Sequence, residues 1–204
     1  MTVDASYFRG LYAASPDPWG LAERWYEARK YALSLALLPR ESYGAAFEPG
    51  CSIGVLSAML ALRCGTLLSC DAIPDAVTAA SARTSSLPGV RVEQRAIPRD
   101  WPAGEFSLIV FSEILYYFDD ADLELVLSRA VRSLTPDGHL LAVHWRHPAP
   151  DHPRTGDETH RALNGHGALA RLAGYRDSDF TAEVFTRADG DGDLRSVAQA
   201  GGIL

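Results

Sequence analysis

The sequence predicts an α/β fold. The expected form is a doubly wound, mostly parallel seven-stranded sheet with an N-terminal helical lid and a C-terminal antiparallel strand pair. Three observations carry this. Ala45-Ala46-Phe47-Glu48 is a short apolar run ending in an acid; the glycine-bearing turn Pro49-Gly50-Cys51-Ser52-Ile53-Gly54 follows, then Val55 to Leu62, which can bury helical positions. Apolar runs of strand length then alternate with helical patterns as far as Trp145, the mark of a parallel sheet wound by crossover helices. After one more helix, two short strands without a helix between them read as a hairpin.

The elements follow in order. Residues 4 to 13 carry Tyr7, Phe8, Leu11 and Tyr12 on neighbouring turns of a helix, and Ser15-Pro16-Asp17-Pro18-Trp19-Gly20 is turn chemistry. A second helix is expected from about Leu21 to Leu38, stopped by Pro39, with Arg29 one turn after Trp25 on the same face. These aromatic helices read as a cap over the sheet edge; for Trp25 and Tyr26 simple core packing is the other reading. Thr66 to Asp71 is the second strand, Pro74 to about Ser86 a helix, Val90 to Arg95 the third strand and Phe106 to Phe111 a nearly all-apolar central strand. A helix from Asp120 to Leu134 ends at Pro136-Asp137-Gly138, and the fifth strand runs from His139 to Trp145. A polar loop to about 156, a helix over 157–172, and strands near Tyr175–Asp177 and Phe180–Thr186 complete the fold. The expected plan is one domain over 1–204: a helical cap (1–40), a core (41–187) and a mobile tail (188–204).

Composition narrows the function. At 204 residues and 47% apolar content the chain can bury a full core. A net charge of −7 without a basic block disfavours a nucleic-acid partner. Cys51, Cys64 and Cys70 lack metal-ligand spacing, so no metal is expected and a reducing cytoplasm fits. The opening residues show no basic start followed by an apolar core, so no signal peptide is expected. No uncharged run reaches the roughly 18 residues of a membrane span.

The glycine spacing G-x-x-x-G over Gly50–Gly54 departs from the dinucleotide G-x-G-x-x-G fingerprint, and Glu48 suits a cationic or donor-rich ligand better than a pyrophosphate. Ser52 is a candidate N-cap. Asp71 lies about twenty residues after Gly50, where a βαβ unit places a carboxylate for ribose hydroxyls; capping the helix at Pro74 is its other reading. By strand order Glu48, Gly50, Asp71, Ile97, Glu113 and His144 gather at the carboxyl ends of the strands, where ligands of open sheets bind.

Together Asp17-Pro18-Trp19, Trp25-Tyr26-Glu27-x-Arg29-Lys30, Glu48-Pro49-Gly50-Cys51-Ser52-x-Gly54 and Ser112-Glu113-x-Leu115-Tyr116-Tyr117 resemble the NodS-like family of nodulation-factor N-methyltransferases, over about residues 7 to 187. The resemblance implies the Rossmann-like class I methyltransferase fold and S-adenosylmethionine as cofactor. It places the methionine part against Gly50, Cys51, Ser52 and Gly54, with Arg29 on its carboxylate. It puts the ribose on Asp71, adenine on Ala72 or Ile73, and Trp19, Glu48, Ala96, Ile97 and Ser112 around the cofactor. Glu113 and His144 become the groups that steer or remove the acceptor's proton, and Tyr117 or Tyr116 orients the acceptor. For His144 a hydrogen-bonded histidine at a strand end, and for Tyr117 core packing, are the other readings.

Two departures stand out: Ala96-Ile97 replaces the usual adenine-binding acid, and Ser107 stands where an Asp is usual. The implied acceptor is a small molecule, the amine of a deacetylated amino-sugar, with the loop His147 to Arg154 either meeting the sugar or serving as a solvated connection. A monomer or weak dimer is expected. An O-methyltransferase using His144 as base, a non-catalytic cofactor-binding module and a nicotinamide-dependent reductase are the competing functions; glycine spacing and Glu48 weigh against the last.

Overall fold

The computed structural model describes residues 1–188, 197–200 and 203. Among these residues seven strands, β1 (Tyr43–Pro49), β2 (Cys64–Asp71), β3 (Val90–Gln94), β4 (Phe106–Ser112), β5 (Leu134–Trp145), β6 (Leu169–Arg176) and β7 (Phe180–Arg187), form one sheet in the order β3-β2-β1-β4-β5-β7-β6. The first five are parallel; β7 runs antiparallel between β5 and β6. The order reverses between β1 and β4, which makes the carboxyl ends of these two strands the expected ligand site.

Alternation along the central strands divides the core. Phe47, Ile109, Phe111, Leu140 and Ala142 face one layer, with α5 (Asp120–Ser133) and α6 (Gly156–Gly165). Ala46, Leu108, Val110, Leu141 and Val143 face the other, with α2 (Trp25–Ala36) and α3 (Val55–Leu60). Both faces of the sheet's centre are covered, so β4 and the C-terminal half of β5 are largely apolar. The first helix, α1 (Ala5–Ala14), and α4 (Pro74–Thr84) meet in a smaller cluster of Tyr12, Ile53, Ile73 and Ala76 over the β1–α3 turn.

Several expected boundaries move. The second helix begins at Trp25 rather than Leu21, because the Asp17 carboxylate accepts from the Leu21 and Ala22 amides at 2.8 and 3.0 Å and holds a separate turn. The helix expected over 157–172 stops at Gly165. Residues from Leu169 onward, though good helix formers, pair with β7 from Leu169↔Arg187 to Arg176↔Thr181. β5 begins at Leu134, and its register shifts between Phe106 and Leu108 of β4. The expected mobile tail lies largely outside the described residues, which show a short helix, α7 (Val197–Ala200). Among the described residues no helix is long and apolar enough to cross a membrane.

Gly54 illustrates how tightly the turn is specified. Its φ is +76°, and a Cβ there would sit 2.9 Å from the Ala80 Cα of α4. Gly54→Ala is expected to lower stability by about 2–4 kcal/mol, combining left-handed strain with overpacking. Urea denaturation checks this; a loss under about 1 kcal/mol would show that α3 and α4 are free to separate.

Candidate active site

The β1–α3 turn is left-handed at Gly50 (φ +74°), Ser52 (φ +50°) and Gly54. Ser52 therefore does not cap α3. Gly54 occupies the N-cap position, while the Ser52 hydroxyl meets the Tyr12 hydroxyl at 2.5 Å. The amides of Gly50 and Cys51 donate to the Cys70 carbonyl at 2.7 and 2.9 Å, that of Ser52 to Asp71 Oδ2 at 3.0 Å, and that of Gly54 to the Cys51 carbonyl at 3.0 Å. A turn whose amides are engaged in this way offers a ligand carbonyl oxygens more than N–H donors. That chemistry suits an ammonium and is poor for a phosphate.

Asp71 ends β2 beside this turn. Each carboxylate oxygen takes one backbone donor, Oδ2 from Ser52 and Oδ1 from Ile73 at 3.0 Å, which leaves each with capacity for another. The Ile73 bond is a local turn two residues along and not a helix cap, since Ile73 itself occupies the N-cap position of α4 and no side chain caps it. Burial nonetheless raises the Asp71 pKa. Ala72 beside it is half-buried, whereas Ile73 is buried under α1. Trp19 sits edge-on to Tyr12, 5.6 Å between ring centres, so the lid packs onto the turn. Cys51 is buried, and burial pushes its thiol well up.

Glu48 lies beneath the turn, 2% exposed. Ser57 and Ser69 both donate to its Oε2, at 2.5 and 2.7 Å, and burial raises its pKa to about 7. At the end of β3 the Ala96 amide donates to Asp100 Oδ2 at 3.1 Å, bringing an acid to the strand end that lacks one in sequence; Ile97 packs against the core.

The other half of the site stands at the ends of β4 and β5. Just past half-buried Ser112, Glu113 adopts φ +58°. Its amide donates to the Val143 carbonyl at 2.8 Å, its Oε1 accepts from Lys30 Nζ at 2.7 Å, and its Oε2 accepts from the Tyr116 hydroxyl and the Trp145 amide, both at 2.8 Å. Lys30 is buried and also lies 2.8 Å from Glu27 Oε2. Burial pulls its pKa down, but the two carboxylates outweigh this and leave it above the ordinary value. Tyr117 packs edge-on against Phe8 and His152, with centroids 4.8 and 4.7 Å away, and His152 stacks on Tyr116 at 4.3 Å. The loop after β5 thus folds over the two tyrosines, and Tyr7 donates to its Asp151 at 3.3 Å.

Two expected site residues are engaged elsewhere. Arg29 donates to Asp177 Oδ2 at 2.9 Å and to the Tyr175 hydroxyl at 2.6 Å, so it joins α2 to the β6–β7 hairpin and not to the turn. His144 is fully buried; its Nε2 accepts from the Leu115 amide at 3.2 Å and its Nδ1 pairs with His160 Nε2 at 3.2 Å. Burial holds its pKa well below the usual histidine range. The hydrogen-bonded histidine at a strand end is the reading that this geometry supports. Lys30 and Glu27 were in the quoted motif but not among the expected site residues, because a helical pattern does not reveal a contact 83 residues away in sequence.

Comparison with known proteins adds family context. The model of the nodulation protein S (NodS) family matches residues 9–148. Nodulation protein S of Bradyrhizobium diazoefficiens is 32% identical over 130 residues, 63% of this chain and 62% of that protein; the chain thus aligns with less than two thirds of that relative. A candidate methyltransferase structure from Pseudomonas syringae is 46% identical, covering 80% of this chain and all of that one, with a TM-score of 0.72. The N-methyltransferase NodS of Bradyrhizobium japonicum WM9, solved with S-adenosyl-L-homocysteine, is 26% identical over 90% of this chain and 97% of its own, with a TM-score of 0.79.

The buried Glu48 generates a pH-dependent prediction. Its folded pKa lies above that of an exposed glutamate, so the folded state holds the proton more tightly. The associated stability is complete at low pH and is lost as pH rises through about 7. Glu48→Gln is expected to stabilise the protein at about pH 8, by on the order of 3 kcal/mol at most, with the gain falling below about 1 kcal/mol at about pH 5. Urea titrations at both pH values check this; an equal effect at the two would contradict the raised pKa.

Proposed function

The chain belongs to the nodulation protein S (NodS) family, and on that premise we propose that it is an S-adenosylmethionine-dependent methyltransferase. Its acceptor is the amine of a small molecule, a deacetylated amino-sugar or oligosaccharide. The observation that carries the cofactor reading is the Asp71 carboxylate, with one backbone donor per oxygen, beside a left-handed turn whose Gly50, Cys51, Ser52 and Gly54 amides are engaged internally. Such a site fits a ribose diol next to an ammonium group. It does not fit the pyrophosphate of a nicotinamide dinucleotide.

When bound, the cofactor would supply an electrophilic methyl group on a sulfonium, which a neutral acceptor amine could take with the thioether S-adenosylhomocysteine as leaving group. Asp71 holds the ribose hydroxyls, the turn from Gly50 to Gly54 receives the methionine end, and half-buried Ala72 gives an apolar surface for the base. Tyr12 and Trp19 close the turn from the lid side. Asp100, brought to the Ala96 amide, stands in for the acid missing at the end of β3. Glu113, fixed by Lys30, Tyr116 and the Trp145 amide, presents negative charge at the end of β4, where the acceptor nitrogen becomes cationic. The proton then leaves to water. Tyr117 lines the acceptor side. His144 serves no base role here, since Leu115 and His160 occupy both ring nitrogens. That removes the base on which the O-methyltransferase reading depended. A cytoplasmic location suits the three free thiols, and a monomer or weak dimer completes the proposal.

Titration calorimetry with S-adenosylhomocysteine, with NAD as control, tests the cofactor assignment: binding of the former alone is expected. Asp71→Ala should weaken that binding by about 1.5–3 kcal/mol, and an unchanged affinity would overturn the ribose role. Glu113→Gln should lower turnover with glucosamine oligomers while sparing cofactor affinity. Equal loss of both would move Glu113 to the cofactor side, and cofactor binding without any methyl transfer would favour the non-catalytic module.

A further inference from the structure

Behind Glu113 a buried chain of imidazoles crosses from β5 through α6 to β7. The Leu115 amide donates to His144 Nε2 at 3.2 Å, His144 Nδ1 lies 3.2 Å from His160 Nε2, and His160 Nδ1 lies 2.6 Å from Glu183 Oε2. Each histidine and Glu183 is buried, at 0, 4 and 5% exposure in the order met. Asn164 also donates to Glu183 Oε2, and Arg171 to Oε1, both at 2.8 Å. These donors outweigh the burial of Glu183, hold its pKa down at about 2 and keep it an acceptor.

The two ends decide the hydrogens in between. A backbone amide only donates, so His144 Nε2 bears no hydrogen and the neutral ring carries its proton on Nδ1. That N–H donates to His160 Nε2, which leaves the His160 proton on Nδ1, facing the Glu183 carboxylate. One arrangement satisfies every atom. A hydrogen on His160 Nε2 would meet the one on His144 Nδ1.

What the chain holds is the segment that carries Glu113. Leu115 opens the single helical turn Leu115–Tyr117 two residues after the left-handed Glu113. The His144 ring meets the Tyr116 ring edge at 5.3 Å, and the Tyr116 hydroxyl donates to Glu113. α6 is pinned close to this point. A Cβ on Gly156 would lie 3.1 Å from the His144 Cβ, and Thr155 and Glu158 form a reciprocal cap at the helix start. The far end of the chain borders a cleft of about 590 Å³ between α6 and β6, lined by His160, Asn164, Arg171 and Glu183.

We propose that His160 and Glu183 are positioning residues: they fix His144 as its Nδ1–H tautomer, and through it they hold the Leu115 amide and the Glu113–Tyr116 segment in place for transfer. The catalytic half rests on the methyltransferase reading; the tautomer half does not.

The test pairs imidazole nitrogen NMR with kinetics on the full chain. In the wild type His144 is expected to be entirely Nδ1–H, with the Leu115 amide protected from exchange. His160→Gln keeps an acceptor for His144 and should preserve both. His160→Leu has no acceptor and the shorter amide of His160→Asn does not reach His144 Nδ1; both should lose the single tautomer and lower kcat about tenfold with cofactor KM nearly unchanged. Circular dichroism and the urea midpoint verify that each variant is folded. An Nε2–H tautomer in the wild type would overturn the proposal, as would wild-type kcat in folded His160→Asn. If the wild type transfers no methyl group, the functional reading fails, while the tautomer and the Leu115 exchange rate still decide whether His160 and Glu183 hold this segment.

Discussion

A lysine ammonium buried at 2% exposure between two carboxylates joins the lid to the sheet. Lys30 comes from α2, ahead of the first strand; Glu113 closes β4, and Glu27 lies one helical turn before Lys30. A buried ammonium is stable only if paired, and removing one partner of such a pair costs about 3–5 kcal/mol. The position of α2 over the strand ends therefore depends on Glu113, and the direction in which Glu113 points depends on α2. The left-handed backbone at Glu113 persists because its amide, both carboxylate oxygens and the following turn are all held.

The site has two halves of opposite character, set on either side of the point where strand order reverses. The β1 and β2 ends form a compact acceptor-rich corner whose own amides are engaged and whose acid, Asp71, retains spare capacity. The β4 and β5 ends present a carboxylate clamped by a cation, a phenol and a main-chain amide, with aromatic rings of Tyr116, Tyr117 and His152 around it. The first half suits a ligand with a diol and an ammonium; the second suits a nitrogen that gains positive charge. The proposed methyl transfer would use both halves in one reaction.

Most of the fold was legible because its signals are local. The Glu48–Gly54 turn, the apolar central strand and the alternation of strands and helices are each written in a few adjacent residues. The helix expected over 157–172 failed where Leu169–Ala173, good helix formers, were taken by cross-strand pairing that local propensity does not encode. The spacing after Gly50 put Asp71 at the end of the second strand, and it stands there beside the turn. Arg29 was misplaced because helical phase gives its face but not its partner, and the partner, Asp177, lies 148 residues away. His144 was found as a strand-end histidine, but the role of His160 and Glu183 depends on α6 and β7 converging on it, which no local spacing shows. Ser52 read as a cap by residue type, yet its φ of +50° turned that position over to Gly54.

The central claim is that the two halves act together to methylate an amine. The most direct measurement incubates the protein with S-adenosylmethionine carrying an isotope-labelled methyl group and a glucosamine oligomer, then locates the label in the product by NMR. The account predicts label on nitrogen, at the deacetylated amine. Label on a hydroxyl oxygen would contradict it, as would cofactor binding with no label transferred to any amine offered.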